Sequence, residues 1–345
     1  MSQDYIGAAR PTYLYIYIAG TVLLLIAPLI GLYPVLGTNM LCFAIFATGY
    51  YLLLGCTGLP SLGHAAFFGV GGYLAGYGIK VIGITPEVAL LAGALNGAVL
   101  GLIMGIVAVR RSGIVFAMVT LALAQIVYFL CVQIPQTGGE DGIVGISRGM
   151  LFGVIDLSSD TVMYYVTLFF FLAIFYFILR VVRSPFGLLL SAIKHSEYRV
   201  ISVGFKPNNY KLLVFVISAS ISGLAGSLKA MSTGVATLGD VHWMTSGYVL
   251  LMVLLGGLGT ILGPTVGALV LVFLENKLGA IGVFLGSVTG ISWFGTLGQS
   301  VPMVLGVLFV LCVIVFRQGI AGGLMLLLER ISSNRKRPDD PGDFD

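Results

Sequence analysis

The sequence predicts an all-α membrane protein of about ten transmembrane helices, with two broken-helix regions and an internal repeat. Three observations predict it. The 345 residues are 58% hydrophobic and 9% charged, with a mean hydropathy of +1.04. Soluble domains carry about 25% charged residues, so this composition excludes a large water-facing surface and an ordinary soluble enzyme. The apolar residues also cluster in runs near the ~20 that cross a bilayer as a helix. Finally, the 48 glycines amount to about twice the usual share. They show no G-X-Y period, which excludes collagen, and read as closely packed helices.

The apolar runs give ten candidate spans: Thr12–Leu36, Asn39–Cys56, His64–Ile84, Pro86–Val109, Ile114–Ile134, Thr161–Val182, Leu212–Met231, Thr245–Leu255, Pro264–Leu285 and Val301–Phe316. The first is too long for a signal-peptide core and has no small-residue cleavage site, so it reads as a retained helix. The eighth is too short to span alone, and eight or nine crossings follow if short segments are re-entrant. Orientation follows from Lys and Arg. With the N-terminus cytoplasmic and ten crossings, Lys80, Arg148, Lys229 and Lys277 fall outside, and the other 14 of the 18 basic residues fall inside. Both termini are then cytoplasmic. Residues 1–316 form the transmembrane domain, with an acidic external loop at Pro135–Asp160 and a long cytoplasmic loop at Arg183–Lys211. Residues 317–345 form a cytoplasmic tail with an acidic, disordered end.

Two apolar regions are interrupted alike. One runs from Gly58 through Pro60, Ser61 and Gly63 to His64, followed by a helix bearing Phe67. The other runs from Gly256 through Gly257, Gly259, Thr260 and Gly263 to Pro264. Glycine and proline unwind the backbone there, and in lipid each freed N–H or C=O costs several kcal/mol unless protein or water satisfies it. Paired breaks in two halves suggest an internal repeat around a solute path; two tight interhelical turns are the plainer alternative. His64 can relay protons, cap a helix or bond a backbone carbonyl. Asn96 and Gln125 read as interhelical hydrogen bonders, and Glu275 with Lys277 as a local interfacial pair. Gly93, Gly97, Gly101 and Gly105 place a small stripe on one helix face, where another backbone can approach. Cys42, Cys56, Cys131 and Cys312 lie in apolar runs with no C-x-x-C spacing and read as packing residues.

The segment Arg183–Val200 has its own grammar. Ser184 N-caps a helix with Pro185 at its first position. Phe186, Leu189, Leu190 and Ile193 form an apolar stripe, and Lys194, His195, Glu197 and Arg199 a polar end. Too short and too charged to span, it either lies on the membrane surface or seats in a partner's groove. The chain has no phosphate-binding G-x-x-x-x-G-K-[ST] loop, no H-E-x-x-H, no G-x-S-x-G, and no Cys/His metal cluster. No cofactor, metal or nucleic-acid partner is therefore expected.

Four stretches together resemble one family. They are Gly58–Gly69 (GLPSLGHAAFFG), Thr137–Ile143 (TGGEDGI), Ser184–Lys194 (SPFGLLLSAIK) and Leu255–Pro264 (LGGLGTILGP). They resemble the LivM-type permease subunit of branched-chain amino acid ABC importers, whose pattern the urea and amide permeases share. The resemblance implies a non-enzymatic transport subunit in the bacterial inner membrane. Its implied partners are a second similar permease, two cytoplasmic ABC ATPases, an external substrate-binding protein and membrane lipid. It implies ATPase coupling by Ser184, Pro185, Phe186, Gly187, Ala192, Ile193, Lys194, His195 and Glu197. It implies a translocation path bordered by Gly58, Ser61, Gly63, His64 and Phe67 and by Gly257, Gly259, Thr260, Gly263 and Pro264. The external loop would be carried by Gly138, Gly139, Glu140, Asp141 and Gly142. Pro60, Leu188, His195 and Ser196 depart from the family pattern. The alternative is an ion- or proton-coupled secondary transporter, which also uses broken helices but needs a carboxylate or paired charges at mid-membrane.

Overall fold

The computed structural model describes residues 11–289 and, beyond them, positions 303–304, 306–307, 310 and 319–323. Most of the tenth candidate span and of the 317–345 tail lies outside the described residues, as does Cys312.

The described chain is mainly helical. In order it forms α1 (Pro11–Ile26), α2 (Pro34–Thr57), α3 (His64–Tyr77), α4 (Pro86–Ala108), α5 (Gly113–Gln133), α6 (Asp160–Arg183), α7 (Pro185–His195), α8 (Glu197–Ser202), α9 (Pro207–Thr233), α10 (Leu238–Val241), α11 (Trp243–Gly256) and α12 (Leu262–Thr289). Proline opens α1, α2, α4, α7 and α9, where its missing N–H would lack a helical partner anyway. Among the described residues, six helices are long and apolar enough to cross a membrane: α2, α3 with the π-turn that extends it to Ile82, α4, α5, α6 and α9. The 14 residues of α11 reach only about 21 Å, against a hydrocarbon core of about 30 Å.

Several boundaries move from their expected places. The run Thr12–Leu36 is not one helix: α1 stops at Ile26, a turn follows with Gly31 at φ 101°, and Leu36 already belongs to α2. Pro28 and Pro34 interrupt the run, since proline cannot donate within a helix. The Arg183–Lys211 loop is itself helical, holding α7, α8 and the first turn of α9. A few two-residue strands accompany the helices of this otherwise all-α fold. Within Pro135–Asp160 lie three two-residue strands, β1 (Ile143–Val144), β2 (Met150–Leu151) and β3 (Ile155–Asp156). β2 and β3 form an antiparallel hairpin, and β1 pairs antiparallel with β4 (Val235–Ala236), just after α9. These strands mark one end of the bundle. α6 runs from that end to α7 at the other.

Close backbone contact organises the interior. α9 lies between α3 and α4, and α2 packs against α9 and α6. The expected glycine stripe of α4 is the surface that meets α9. A methyl on Gly97 would strike the Ala219 carbonyl, and one on Gly101 would lie 2.5 Å from Ala219 Cβ. From the other side, a methyl on Gly71 of α3 would strike the Gly223 carbonyl. Small residues thus let three helix backbones touch. α2 is the most enclosed span, with 94% of its apolar window buried. A helix apolar all round needs neighbours all round.

At the strand end, polar links replace apolar packing. Arg148 reaches Asp160 Oδ1 at 2.5 Å and the Ser232 carbonyl at 2.8 Å, so one guanidinium ties the loop to the start of α6 and the end of α9. Lys229 Nζ lies 2.5 Å from Asp240 Oδ1, holding α10 to α9. The exposed Asp156 carboxylate accepts the Ser158 N–H at 2.9 Å. Its pKa lies below the ordinary value, because the hydrogen bonds from Ser158 favour the charged form.

Candidate functional site

The first break lies between α2 and α3. α2 ends at Thr57, and Gly58 caps it at φ 72°, its N–H returning to the Leu54 carbonyl. A left-handed residue at this position favours glycine. The next five residues run non-helically to His64, and their backbone groups find side-chain partners. Tyr50 Oη donates to the Ser61 carbonyl at 2.9 Å and accepts the Ser61 N–H at 3.1 Å. Thr120 Oγ1 of α5 accepts the Leu62 N–H at 3.1 Å, and Ser61 Oγ accepts the Gly63 N–H at 3.2 Å. Ser246 Oγ of α11 accepts the Ala65 N–H at 2.8 Å. These bonds offset the cost of unwound backbone away from water.

His64 sits at the centre of this arrangement, buried, and bonds two serine hydroxyls rather than a backbone carbonyl. Its Nδ1 is 2.9 Å from Ser61 Oγ, and its Nε2 is 2.8 Å from Ser218 Oγ of α9. The Ser218 hydroxyl donates its single proton to the Gly49 carbonyl at 2.7 Å. It must therefore accept from Nε2–H, which leaves Nδ1 to accept the Ser61 proton. Each polar atom has one fitting role when the imidazole is neutral. The rings of Tyr50, Phe67 and Phe215 meet His64 edge-on at 4.9–5.5 Å. Ser61, His64 and Phe67 are wholly enclosed, while Gly58 lies at the surface.

The second break, between α11 and α12, is a compact turn. Gly257 takes φ 106°, and the Thr260 carbonyl and hydroxyl accept the Gly263 N–H at 3.1 and 3.2 Å. A methyl on Gly256 would strike the Gly263 carbonyl, and one on Gly267 the Met252 carbonyl, so the two helices leave the turn in backbone contact. Gly257, Gly263 and Pro264 are buried, Thr260 is half-buried and Gly259 is exposed. The two breaks are not brought together by any side-chain hydrogen bond among the described residues.

α7 lies at the far end from the strands, against α2, α6 and α9. Ser184 caps it by accepting the Gly187 N–H at 3.4 Å. Gly187, Leu190 and Ile193 are buried, and a methyl on Gly187 would strike the Val182 carbonyl. Pro185, Leu188, Ala192 and His195 are exposed, at spacings that share one helix face. Phe186 is half-buried, with its ring 6.1 Å from Tyr210. Lys194 Nζ donates to the Gly55 carbonyl at 2.8 Å, and Glu197 pairs with Lys211 at 2.7 Å.

In the loop at the strand end, Gly138, Gly139 and Gly142 all take positive φ, and methyls on Gly138 and Gly142 would strike the Gly142 and Ala236 carbonyls. Glu140 and Asp141 face solvent. Two expected pairings are replaced. Glu275 accepts the Tyr248 hydroxyl at 2.6 Å rather than pairing with Lys277, because residues two apart on a helix do not face each other. Asn96 Oδ1 is buried without a partner instead of bonding across helices. Cys42, Cys56 and Cys131 are buried and free.

A bundle of apolar spans joined by glycine-to-backbone contacts, with an unwound segment sealed by side chains and a short helix across one end, points to a multi-pass membrane protein. The profile of the branched-chain amino acid transport system permease component family matches residues 36–316, and the chain belongs to that family. It is 27% identical over 260 residues to the high-affinity branched-chain amino acid transport system permease protein LivM of Escherichia coli K12, covering 69% of this chain and 61% of the relative. The LivM protein of Salmonella typhimurium LT2 gives the same values. The BraD permease protein of Pseudomonas aeruginosa PAO1 is 25% identical over 244 residues, 66% of this chain and 79% of the relative. The chain thus spans about three fifths of the length of both LivM relatives. No solved structure matches it.

Proposed function

We propose that this chain is the membrane-spanning subunit of an ATP-driven importer in the bacterial inner membrane. Its solutes are branched-chain amino acids or related small polar molecules, handed over by an external binding protein. It pairs with a second, similar permease, and two cytoplasmic ATPases drive it. The chain crosses about ten times with both termini cytoplasmic, as two related halves each carrying a break.

The observation that carries this reading is the two-sided use of α7. Its apolar stripe is spent on this chain, with Gly187, Leu190 and Ile193 buried, so that stripe is not free to insert into a bilayer. What faces outward is Pro185, Leu188, Ala192 and His195, with Leu188 53% exposed. A capped helix held from behind, with a mixed face outward, suits a groove on a cytoplasmic partner. The family membership supports the same reading. A proton-coupled mechanism is disfavoured by charge placement. Within the six spans the only carboxylates are Glu87 and Asp160, both in the first turn of a helix, and Glu275, midway along α12, is engaged by the Tyr248 hydroxyl. Such a mechanism needs one at mid-membrane.

In this reading the two glycine-rich breaks border the solute path. Ser61, His64 and Phe67 are enclosed, so the path is shut at the first break in this conformation, and opening it requires release of the Tyr50 and Ser218 contacts. The test is uptake by the assembled complex in proteoliposomes supplied with binding protein. Uptake is expected to need ATP on the ATPase side and to be lost on Ala192→Trp, which enlarges the outward face of α7. Uptake that persists without ATP and follows a proton gradient would refute the proposal.

A further inference from the structure

The geometry points to Lys194 as the positioning residue that ties α7 to the broken segment between α2 and α3. The inference rests on the docking role proposed above for α7. Most of what joins α7 to the bundle is apolar packing, through Leu190 and Ile193. Such contacts are non-directional and let one surface slide on another. Lys194 differs. Its ammonium donates to the Gly55 carbonyl at 2.8 Å, a carbonyl in the last turn of α2 left without a helical donor. Among the described residues this is the one side-chain hydrogen bond between α7 and α2. It is also well placed electrostatically, because the C-terminal end of a helix favours a cation.

The stem of Lys194 is placed as specifically as its head. A methyl on Gly58 would lie 3.3 Å from Lys194 Cγ. Gly58 is the left-handed residue at which α2 stops. The side chain therefore spans the last turn of α2 and the first residue of the break.

Beyond Gly58 the links continue without interruption. Tyr50, five residues before Gly55 on α2, holds both backbone groups of Ser61. Ser61 holds His64, His64 holds Ser218, and Ser218 returns to the Gly49 carbonyl of α2. The end of α2, the break and the start of α3 are thus one bonded unit, and Lys194 is its handle on α7. A displacement of α7 moves this unit as long as the handle is attached. The bond is exposed at the protein surface, where such contacts add little to stability. Its loss is expected to show in coupling rather than in folding.

The experiment uses the assembled transporter with its ATPases and binding protein in proteoliposomes, and reads solute moved per ATP hydrolysed. Lys194→Met keeps the stem and removes the donors, and is expected to lower that ratio about fivefold, the upper end for an exposed charged contact. Lys194→Arg, which keeps donors, is expected to recover most of it. Gly58→Ala attacks the same link from the other side and is expected to lower the ratio without any change at Lys194. Docking is read separately, by cross-linking Leu188→Cys to the ATPases. If the cross-link forms and both Lys194→Met and Gly58→Ala keep the ratio within about twofold of native, Lys194 is not the handle and docking stands. If Leu188→Cys gives no cross-link with Lys194 intact, docking falls and this inference with it.

Discussion

Gly226→Ala offers a direct test of how the bundle is held together. Gly226 lies in α9 where that helix meets α3, and an added methyl would land on the Phe68 carbonyl oxygen, with Phe68 Cα 3.1 Å away. Both atoms are backbone, so no rotamer change relieves the clash; the helices must part. Overpacking a tight interior typically costs about 1–3 kcal/mol. A gap of about 1 Å also forfeits a quarter to a half of each contact's dispersion energy along the seam. Against this, alanine is favoured over glycine inside a helix by about 1 kcal/mol. The balance is a net loss of about 2 kcal/mol, roughly a thirtyfold fall in the folded-to-unfolded ratio. Gly247→Ala in α11 is the matched control, since nothing lies within 4 Å of its added methyl. There only the propensity gain remains, so the same substitution should stabilise. The assay is reversible denaturant unfolding in mixed micelles, with both variants measured against the parent. If Gly226→Ala proves as stable as Gly247→Ala, the backbone contact between α3 and α9 is not what the structure implies.

Tyr50→Phe leaves the buried N–H and C=O of Ser61 without partners, and is expected to cost about 2–4 kcal/mol. Hydrogen exchange should rise first at residues 61–64, and unchanged protection there would refute the role of the clamp. Lys229→Met strands Asp240, whose side chain is only 14% exposed, at a cost of about 3 kcal/mol. It should expose residues 235–243 to protease. The exchange Lys229→Asp with Asp240→Lys should restore most of the protection, and equal cleavage in single and double variants would show that the ion pair does not hold α10.

Much of this fold is legible in local chemistry. Proline at the first turn and the serine cap announce α7, and the four-residue glycine spacing announces a close crossing on α4. What local chemistry does not carry is the identity of the partner. Nothing in the period of Gly93 to Gly105 names α9, because small residues specify an approach and not what approaches. The interruption near Pro28 is hidden from hydropathy, which stays high through it; Pro28, Gly31 and Pro34 are the sequence signal that separates α1 from α2. At the first break, Ser61 and His64 stand out as polar residues in apolar surroundings. Tyr50, Thr120, Ser218 and Ser246, which satisfy the break, do not. Each sits on a different helix from the atom it serves, at a separation set by tertiary packing. A tyrosine hydroxyl inside an otherwise apolar span was the one available signal, since a buried Tyr O–H needs a partner.

The sandwich of α3, α9 and α4 also limits how this molecule can change shape. Where carbonyl oxygens rest on glycine Cα atoms, sliding one helix by a single residue, about 1.5 Å, brings a Cβ under an oxygen that had only hydrogen beneath it. The three helices are therefore locked in register and travel as one body. Rearrangement is left to the seams made of side chains, namely α2 with α6 and the α11–α12 hairpin against α2. A spectroscopic ruler placed within the trio should read one constant distance through a full working cycle, while one placed across those seams should not.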